Sequence, residues 1–284
     1  MSNSSATIAN VAQHVQYIST LDVALPFIQR SGDRVTASVT EIIKAVLNAY
    51  TYRKALGEEN ANSVTWLQGY IVCVILGSGG ASTVSLLRGE ALSILYKDDF
   101  WIINGLAYCS IFSNRYIFQV LQLLFQRFTV LHHICQFIVD VSRGYAIVRL
   151  GVDGGSKLTK SAIMLRESVV GQIVCGTLIG CASGLWVELL GLLQPTWTFS
   201  MPKSFLALSY TVKISMMTTL LYLLLLKPFY SEDLSVAHTI SALTFAALLL
   251  YFKLKSDSNT QKPIGRIDIP SEKAKELAKL KKRK

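Results

Sequence analysis

Two clusters of glycine and serine lie inside long apolar stretches of the sequence, the first from Leu76 to Ser82 and the second from Ile179 to Leu185. Glycine costs a helix about 1 kcal/mol relative to alanine, so several together weaken it and free backbone carbonyls. Carbonyl and hydroxyl oxygens can then line a water-filled path, although small residues also let helices pack closely. The candidate pore or hinge residues are Gly77, Ser78, Gly79, Gly80, Ser82, Gly180, Ser183 and Gly184.

A second set of candidates consists of ionisable residues within, or near the ends of, the apolar stretches. A charge at the bilayer centre costs at least about 2.5 kcal/mol, so such groups usually face a bundle interior or an aqueous cavity. Groups near the ends of a stretch can instead extend to the interface. Lys213 stands deep within its stretch and is the best single pore candidate; the full set is Glu41, Lys44, Asp140, Arg143, Glu188 and Lys213.

Catalytic and metal-binding patterns are weak. The five cysteines lie in apolar stretches without CxxC spacing, so we expect neither a disulfide framework nor a zinc site. His132 and His133 are adjacent and diverge by about 100° on a helix, which argues against a shared metal ion. His, Asp, Glu and Ser do not stand at catalytic spacing. We therefore expect no enzyme activity, no metal and, lipid apart, no cofactor.

The composition explains why these residues lie in apolar surroundings. Apolar residues make up 51% of the 284 residues and charged ones only 16%, with a mean hydropathy of +0.40. Soluble domains carry about 25% charged residues, so much of this surface must face lipid. The net charge is +10, and eleven Lys/Arg against four Asp/Glu lie in residues 253–284. A basic tail could indicate nucleic-acid binding, but the body offers no aromatic and basic platform for it.

Apolar stretches long enough to cross a membrane recur along the chain. About 20 mostly apolar residues cross a hydrocarbon core of roughly 30 Å. We interpret the pattern as seven spans, at residues 35–52, 60–87, 99–113, 115–140, 168–187, 204–226 and 233–252.

An odd number of spans places the two termini on opposite sides of the membrane. The positive-inside rule puts the basic tail, 253–284, in the cytosol and the amino-terminal segment, 1–34, in the lumen. Four basic residues between the fourth and fifth spans would then be lumenal, against the same rule; they are Arg149, Lys157, Lys160 and Arg166. The tail carries the stronger signal and decides the orientation.

The two glycine clusters each fall in the middle span of a group of three. This predicts a repeat of residues 35–113 and 115–226, followed by the seventh span. Three spans per unit force the units into opposite orientations, as in many transport proteins. The predicted fold is an all-α integral membrane protein with seven transmembrane helices, an inverted 3+3 repeat plus one, and broken second and fifth helices.

Several stretches in this order resemble the trimeric intracellular cation (TRIC) channel family. Residues 38–76 resemble its first two spans, and Gly176–Gly191 resembles its glycine-rich fifth span. Ile138–Arg143 resembles the family's Lys-Glu-Val-x-Arg motif, with Val139 and Asp140 in place of its Lys and Glu. The segment from Ser200 to Lys203 resembles the entry to the sixth span. The resemblance covers residues 35–252.

The resemblance implies a homotrimer with one pore per subunit, in the endoplasmic or sarcoplasmic reticulum or the nuclear membrane. It implies conduction of K⁺, and of Na⁺ less well, as counter-ion current during Ca²⁺ release. It also implies a phosphoinositide near the fourth-span motif. Arg143 is the one basic residue of the motif retained here, so Arg149 and Arg127 are expected to share the lipid phosphates.

The last residues of the chain fit a dilysine retrieval signal to the endoplasmic reticulum, formed by Lys281 and Lys282. The alternative is a polybasic segment attracted to anionic lipid. For the whole protein, the alternative to a channel is a small-solute secondary transporter, because inverted repeats with broken helices also build carriers. A seven-helix receptor is disfavoured because no cysteine pair or receptor-type motif is present.

Overall fold

The computed structural model describes residues 22–30, 33–154, 159–202, 209–229 and 234–260. The chain begins there with an antiparallel hairpin of β1 (Asp22–Arg30) and β2 (Asp33–Ser38), whose register shifts between Ala24 and Gln29. The sequence predicted no strand in this segment. The remaining described secondary structure is helical, so the all-α prediction is confirmed for the membrane domain.

The helices follow the hairpin in chain order. A 3₁₀ turn at Ser93–Leu95 precedes α3, and π-helical turns at Ile147–Val152 and Tyr222–Leu226 continue α5 and α8. A short helical turn, Lys227–Phe229, ends the second of these. The α-helices are α1 (Val39–Ala61), α2 (Trp66–Arg88), α3 (Asp98–Ser113), α4 (Arg115–Arg127), α5 (Thr129–Ala146), α6 (Lys160–Glu167), α7 (Val169–Leu189), α8 (Tyr210–Leu221) and α9 (Leu234–Thr260).

Three helices in the described part of the chain are long and apolar enough to cross a membrane: Trp66–Arg88, Val169–Leu189 and Leu234–Lys255. They correspond to the predicted second, fifth and seventh spans. A shorter apolar helix, Tyr210–Leu226, covers the described part of the predicted sixth span, because residues 203–208 lie outside the described ranges. The predicted first span corresponds to α1, which begins at Val39 and is interrupted by Gly57 at φ 75°.

The predicted fourth span, 115–140, is wrong as one continuous helix. The chain breaks at Phe128 (φ −114°, ψ 68°) and divides into α4 and α5. Glutamines and terminal arginines give α4 a polar face, and it buries only Phe118 and Phe125 among its described side chains. Instead α5 and its π-helical continuation, together about 36 Å long at 1.5 Å per residue, have the length of a span.

The prediction that the second and fifth helices are broken is also wrong. Both α2 and α7 are continuous from their first to their last residue. Thr65 caps the amino terminus of α2 and Ser168 that of α7, each with its side-chain oxygen. Gly89 ends α2 in the left-handed region at φ 65°. The cost of glycine in these helices is offset by close packing, because α2 and α7 contact each other extensively within the described part of the chain.

Each predicted repeat contributes most of one apolar core. The first core lies mainly among α1–α4 and contains the fully buried Tyr52. The second lies mainly among α5, α7, α8 and α9 and contains the fully buried Phe245. The α2–α7 crossing therefore joins two separately packed halves.

Candidate functional site

The crossing of α2 and α7 brings the two glycine clusters into direct contact. A Cβ atom at Gly80 would overlap the carbonyl oxygen of Ile179, and one at Gly79 would lie 3.1 Å from Ser183 Cα. The Gly80 amide donates to Ser183 Oγ at 3.2 Å. These residues therefore allow two backbones to approach more closely than any larger side chain permits.

Hydrogen bonds extend this contact along the two helices. Trp186 Nε1 donates to Thr83 Oγ1 at 2.8 Å, and Thr83 Oγ1 donates to the Gly79 carbonyl at 2.6 Å. Polar side chains away from water are stable only with partners, so these bonds fix the rotation of α7 against α2. The crossing is a rigid joint of the fold.

A small chamber lies beside the crossing, among α1, α2 and α3. It has a volume of about 40 Å³, enough for a water molecule, and is lined by Glu41, Lys44, Ala45, Gly77, Phe100, Ile103 and Asn104. The Lys44 ammonium donates to the Gly77 carbonyl at 2.5 Å. Gly77 lies near the midpoint of α2, so a positive charge stands at mid-helix depth.

Asn104 completes the oxygen lining of this chamber. Its side chain is 4% exposed, and its Nδ2 donates to the Phe100 carbonyl at 2.8 Å. Its Oδ1 is buried and has no hydrogen-bond partner among the described residues. A buried acceptor without a donor is costly, which suits a site that receives water or a cation.

Charged residues of α5 lie close to the chamber. Arg143 forms an ion pair with Asp140 at 3.8 Å, and the Asp140 side chain is almost fully buried. Arg143 is also near enough to Lys44 and Cys181 to interact with them electrostatically. Cations from α1 and α5 therefore converge on the side of α2 and α7 where their glycines meet.

The structure separates the predicted pore residues into distinct surroundings. Gly79, Gly80 and Ser183 meet at the crossing, whereas Gly77 borders the chamber. Gly180 packs against the side chain of Ser215 in α8, and nothing lies within 4 Å of a Cβ at Gly184. The other two serines of the set are internal. Ser78 Oγ donates to the Val74 carbonyl at 2.8 Å, and Ser82 Oγ is buried without a partner among the described residues.

The position predicted for Lys213 is wrong. It is exposed and lies in the first turn of α8, whose amino-terminal cap is Ser209, and not deep within a span. The reason is that α8 begins later than the apolar stretch of the sequence does. Its pore role remains a prediction.

The predicted lipid-binding arginines do not share one environment. Arg127 and Arg149 are exposed at the ends of α4 and of the π-helical turn. Arg143 is partly buried beside Asp140. The retrieval residues Lys281 and Lys282 lie outside the described residues.

Two buried arginines were missed by sequence reasoning. Arg88, 3% exposed, donates to the carbonyls of Leu150 and Gly151, the latter at 2.8 Å. Arg53, 6% exposed, donates to the Ile111 carbonyl and lies 4.6 Å from the Phe118 ring centroid. Each cation donates hydrogen bonds to carbonyl groups near the end of another helix. The sequence shows only that each one follows the end of a predicted span.

The described helices, packed about a glycine-rich crossing, match known proteins. The sequence profile of the TRIC channel family matches residues 65–258, which include both glycine clusters, the chamber residues of α2 and α3 and the whole of α5. The chain belongs to the TRIC channel family. It is a multi-pass membrane protein, and its family is one of channels.

Solved structures of this family share the fold at low sequence identity. A trimeric intracellular cation channel from C. elegans solved without Ca²⁺ is 18% identical, covers 87% of this chain and 96% of its own, and has a TM-score of 0.60. The same kind of channel from C. elegans with bound Ca²⁺ is 15% identical, covers 88% and 97%, and has a TM-score of 0.62. A TRIC counter-ion channel described for its activity in calcium release is 15% identical, covers 86% and 99%, and scores 0.61. A search among curated proteins gives no match.

Proposed function

We propose that this protein is a K⁺ channel of the endoplasmic or sarcoplasmic reticulum or the nuclear membrane. It conducts K⁺, and Na⁺ less well, as counter-ion current during Ca²⁺ release, and it assembles as a homotrimer with a cytosolic carboxyl terminus. Support comes from family membership and from structural relatives described as trimeric cation and counter-ion channels.

The observation that carries the proposal is the bond between the Lys44 ammonium and the Gly77 carbonyl at mid-helix depth. Carbonyl and amide oxygens replace the hydration shell of a permeating cation in selective pores. Gly77 and Asn104 present such oxygens to one chamber. An ammonium group there takes the place of a permeating cation, so Lys44 keeps the path closed until it withdraws.

Planar-bilayer recording of the full chain tests this proposal. Lys44→Met keeps the length of the side chain and removes the charge, so we expect open probability in symmetric K⁺ to rise severalfold. Lys54→Met is the matched control, because Lys54 is exposed on the same helix and should leave the currents unchanged. Unitary steps that reverse at the K⁺ potential establish a channel, whereas saturable uptake without steps would establish a secondary transporter. If Lys44→Met gives the same currents as wild type, Lys44 does not block the conduction path.

A phosphoinositide forms the second part of the proposal. Arg149 and Arg127 are exposed, and a guanidinium can hold a phosphate through two parallel hydrogen bonds. They lie near opposite ends of α5 and its π-helical continuation, about 33 Å apart at 1.5 Å per residue, so a single lipid headgroup binds one of them and not both. A guanidinium has five N–H donors, so Arg143 can pair with Asp140 at 3.8 Å and still contact the lipid phosphate. Native mass spectrometry of the purified protein with added phosphoinositide measures this association.

A further inference from the structure

The π-helical continuation of α5 ends at a buried polar network, which lies outside the chamber. Asp153 follows the π-helical turn Ile147–Val152, and its side chain is 13% exposed. Its Oδ2 accepts hydrogen bonds from Tyr222 OH at 2.6 Å and His238 Nε2 at 2.7 Å. Its Oδ1 pairs with Lys227 Nζ at 3.3 Å. One carboxylate therefore joins the end of α5 to the continuation of α8 and to α9.

Two irregular helical segments meet at this carboxylate. The Asp153 amide donates to the Val148 carbonyl at 2.9 Å, which closes the π-helical turn of α5. Tyr222 is the first residue of the other π-helical turn, Tyr222–Leu226. π-helical turns are rare and occur frequently at functional sites. Returning either turn to α-helical bonding would rotate the chain beyond it, so the network holds both turns in their present register.

The same turn of α5 is also attached to α2 and α7. Arg88 of α2 donates to the carbonyls of Leu150 and Gly151. A Cβ at Gly151 would lie 2.6 Å from Gly176 Cα, so α5 and α7 touch through their backbones there. Contacts from four helices converge on Leu150–Asp153, which makes this turn the point where movement of α5 is resisted.

Movement of α5 would reach the chamber. Arg143 and Asp140 lie on α5, with Arg143 about 15 Å along the helix axis from Asp153 at 1.5 Å per residue. Arg143 and Lys44 are like charges that repel, so a shift of α5 toward α1 would push Lys44 away from the Gly77 carbonyl that it occupies. A rigid helix transmits a displacement of one end to the other.

We propose that Asp153 is a positioning residue for gating: its carboxylate holds the end of α5 against α8 and α9 and so stabilises the arrangement in which Lys44 occupies the Gly77 carbonyl. This inference rests on the proposed cation channel. Among the described residues, the charged and titratable groups that face the carboxylate are Tyr222 and Lys227, which follow α8, and His238 of α9.

The charge state of Asp153 favours a network that persists at neutral pH. Burial opposes ionisation of the carboxyl, but the hydrogen bonds from His238 and Tyr222, with the nearby Lys227, hold its pKa below the ordinary value. A carboxyl with a depressed pKa contributes stability above its unfolded pKa and loses it as the pH falls through the folded value. The Asp153 side chain is therefore a carboxylate at neutral pH and can accept from all three donors.

The test combines currents with hydrogen exchange on the purified full chain. Asp153→Asn should raise open probability severalfold, up to the level of Lys44→Met and not beyond it, since a hydrogen-bonded charge pair that positions Lys44 is lost. His238→Phe should do the same, whereas His238→Gln, which retains a donor nitrogen, should remain close to wild type. The double variant Asp153→Asn/His238→Phe should exceed neither single variant, because both remove one interaction. Amides 147–153 should exchange faster in Asp153→Asn than in wild type.

The outcomes separate this inference from the channel proposal. Faster exchange with unchanged open probability would show a structural contact without a role in gating and would overturn the inference. Loss of assembly in Asp153→Asn and in the milder Tyr222→Phe would overturn it as well. A wild type without unitary currents would instead refute the channel proposal, while the exchange experiment would still report whether the network holds α5.

Discussion

The glycine clusters of α2 and α7 are similar in sequence and have opposite surroundings. Gly77 borders a chamber that contains the Lys44 ammonium and the unpaired Asn104 oxygen. Gly180, at the matching position of the second cluster, meets Ser215 and Ile147, which fill the equivalent space. Two similar glycine-rich helices therefore have different neighbours, which leave a chamber with polar groups on one side and fill the space on the other.

The largest effect should come from the crossing itself. Gly80→Leu places a side chain against the Ile179 backbone, which cannot move without shifting α7, so we expect a loss of about 3 kcal/mol in the free energy of unfolding. Gly184→Leu is the matched control, because nothing lies within 4 Å of a Cβ there. Thermal unfolding and size-exclusion chromatography in detergent measure both. Equal destabilisation of the two variants would contradict the close contact at Gly80.

A smaller effect is expected on the filled side. Gly180→Ala brings a Cβ into the Ser215 side chain, for which we expect a loss of about 1–2 kcal/mol in the free energy of unfolding. Ser215→Gly removes the obstructing atoms but costs the helix about 0.5 kcal/mol by itself. The double variant should therefore be more stable than the sum of the single changes predicts, with a coupling of about 1 kcal/mol in a thermal-unfolding cycle. Simple additivity would show that the two residues do not compete for space.

The smallest effect on stability is expected on the hollow side. In Gly77→Ala the new Cβ would lie 3.2 Å from Phe100 Cζ at the edge of a ring, and alanine favours the helix. We expect the free energy of unfolding to change by less than about 0.5 kcal/mol. The methyl group borders the chamber, so unitary K⁺ conductance should fall although stability does not. A large loss of stability would show that the chamber is as closely packed as the other side.

Prediction from sequence succeeded where the decisive property is local. The spans at α2, α7 and α9 follow from uninterrupted apolar runs, because a membrane selects for length and hydropathy. Prediction from sequence failed where one apolar stretch contains two different helices. Residues 115–140 read as a single span, but the polar face of α4 and the break at Phe128 separate an amphipathic helix from α5.

The glycine clusters show the same limit at the candidate site. Their positions were found from sequence, but glycine permits both a broken helix and a close crossing. Which of the two forms depends on the segment that packs against the glycine. For Gly80 that segment is the Ile179 backbone, far away along the chain. Lys44 was recognised as an ionisable residue within a span, whereas its acceptor at Gly77 could not be inferred from spacing.

The sequence by itself determined that this chain is an α-helical membrane protein, which helices are its most apolar spans, and which family it resembles. Those properties follow from composition, from the length of apolar runs and from short ordered motifs. Tertiary structure alone decided that α2 and α7 remain continuous, that Lys44 reaches the Gly77 carbonyl, and that Asp153 gathers donors from α8 and α9. The physical reason is that a buried charge or an unpaired carbonyl is satisfied by whichever group the fold brings near, and those groups lie on other helices.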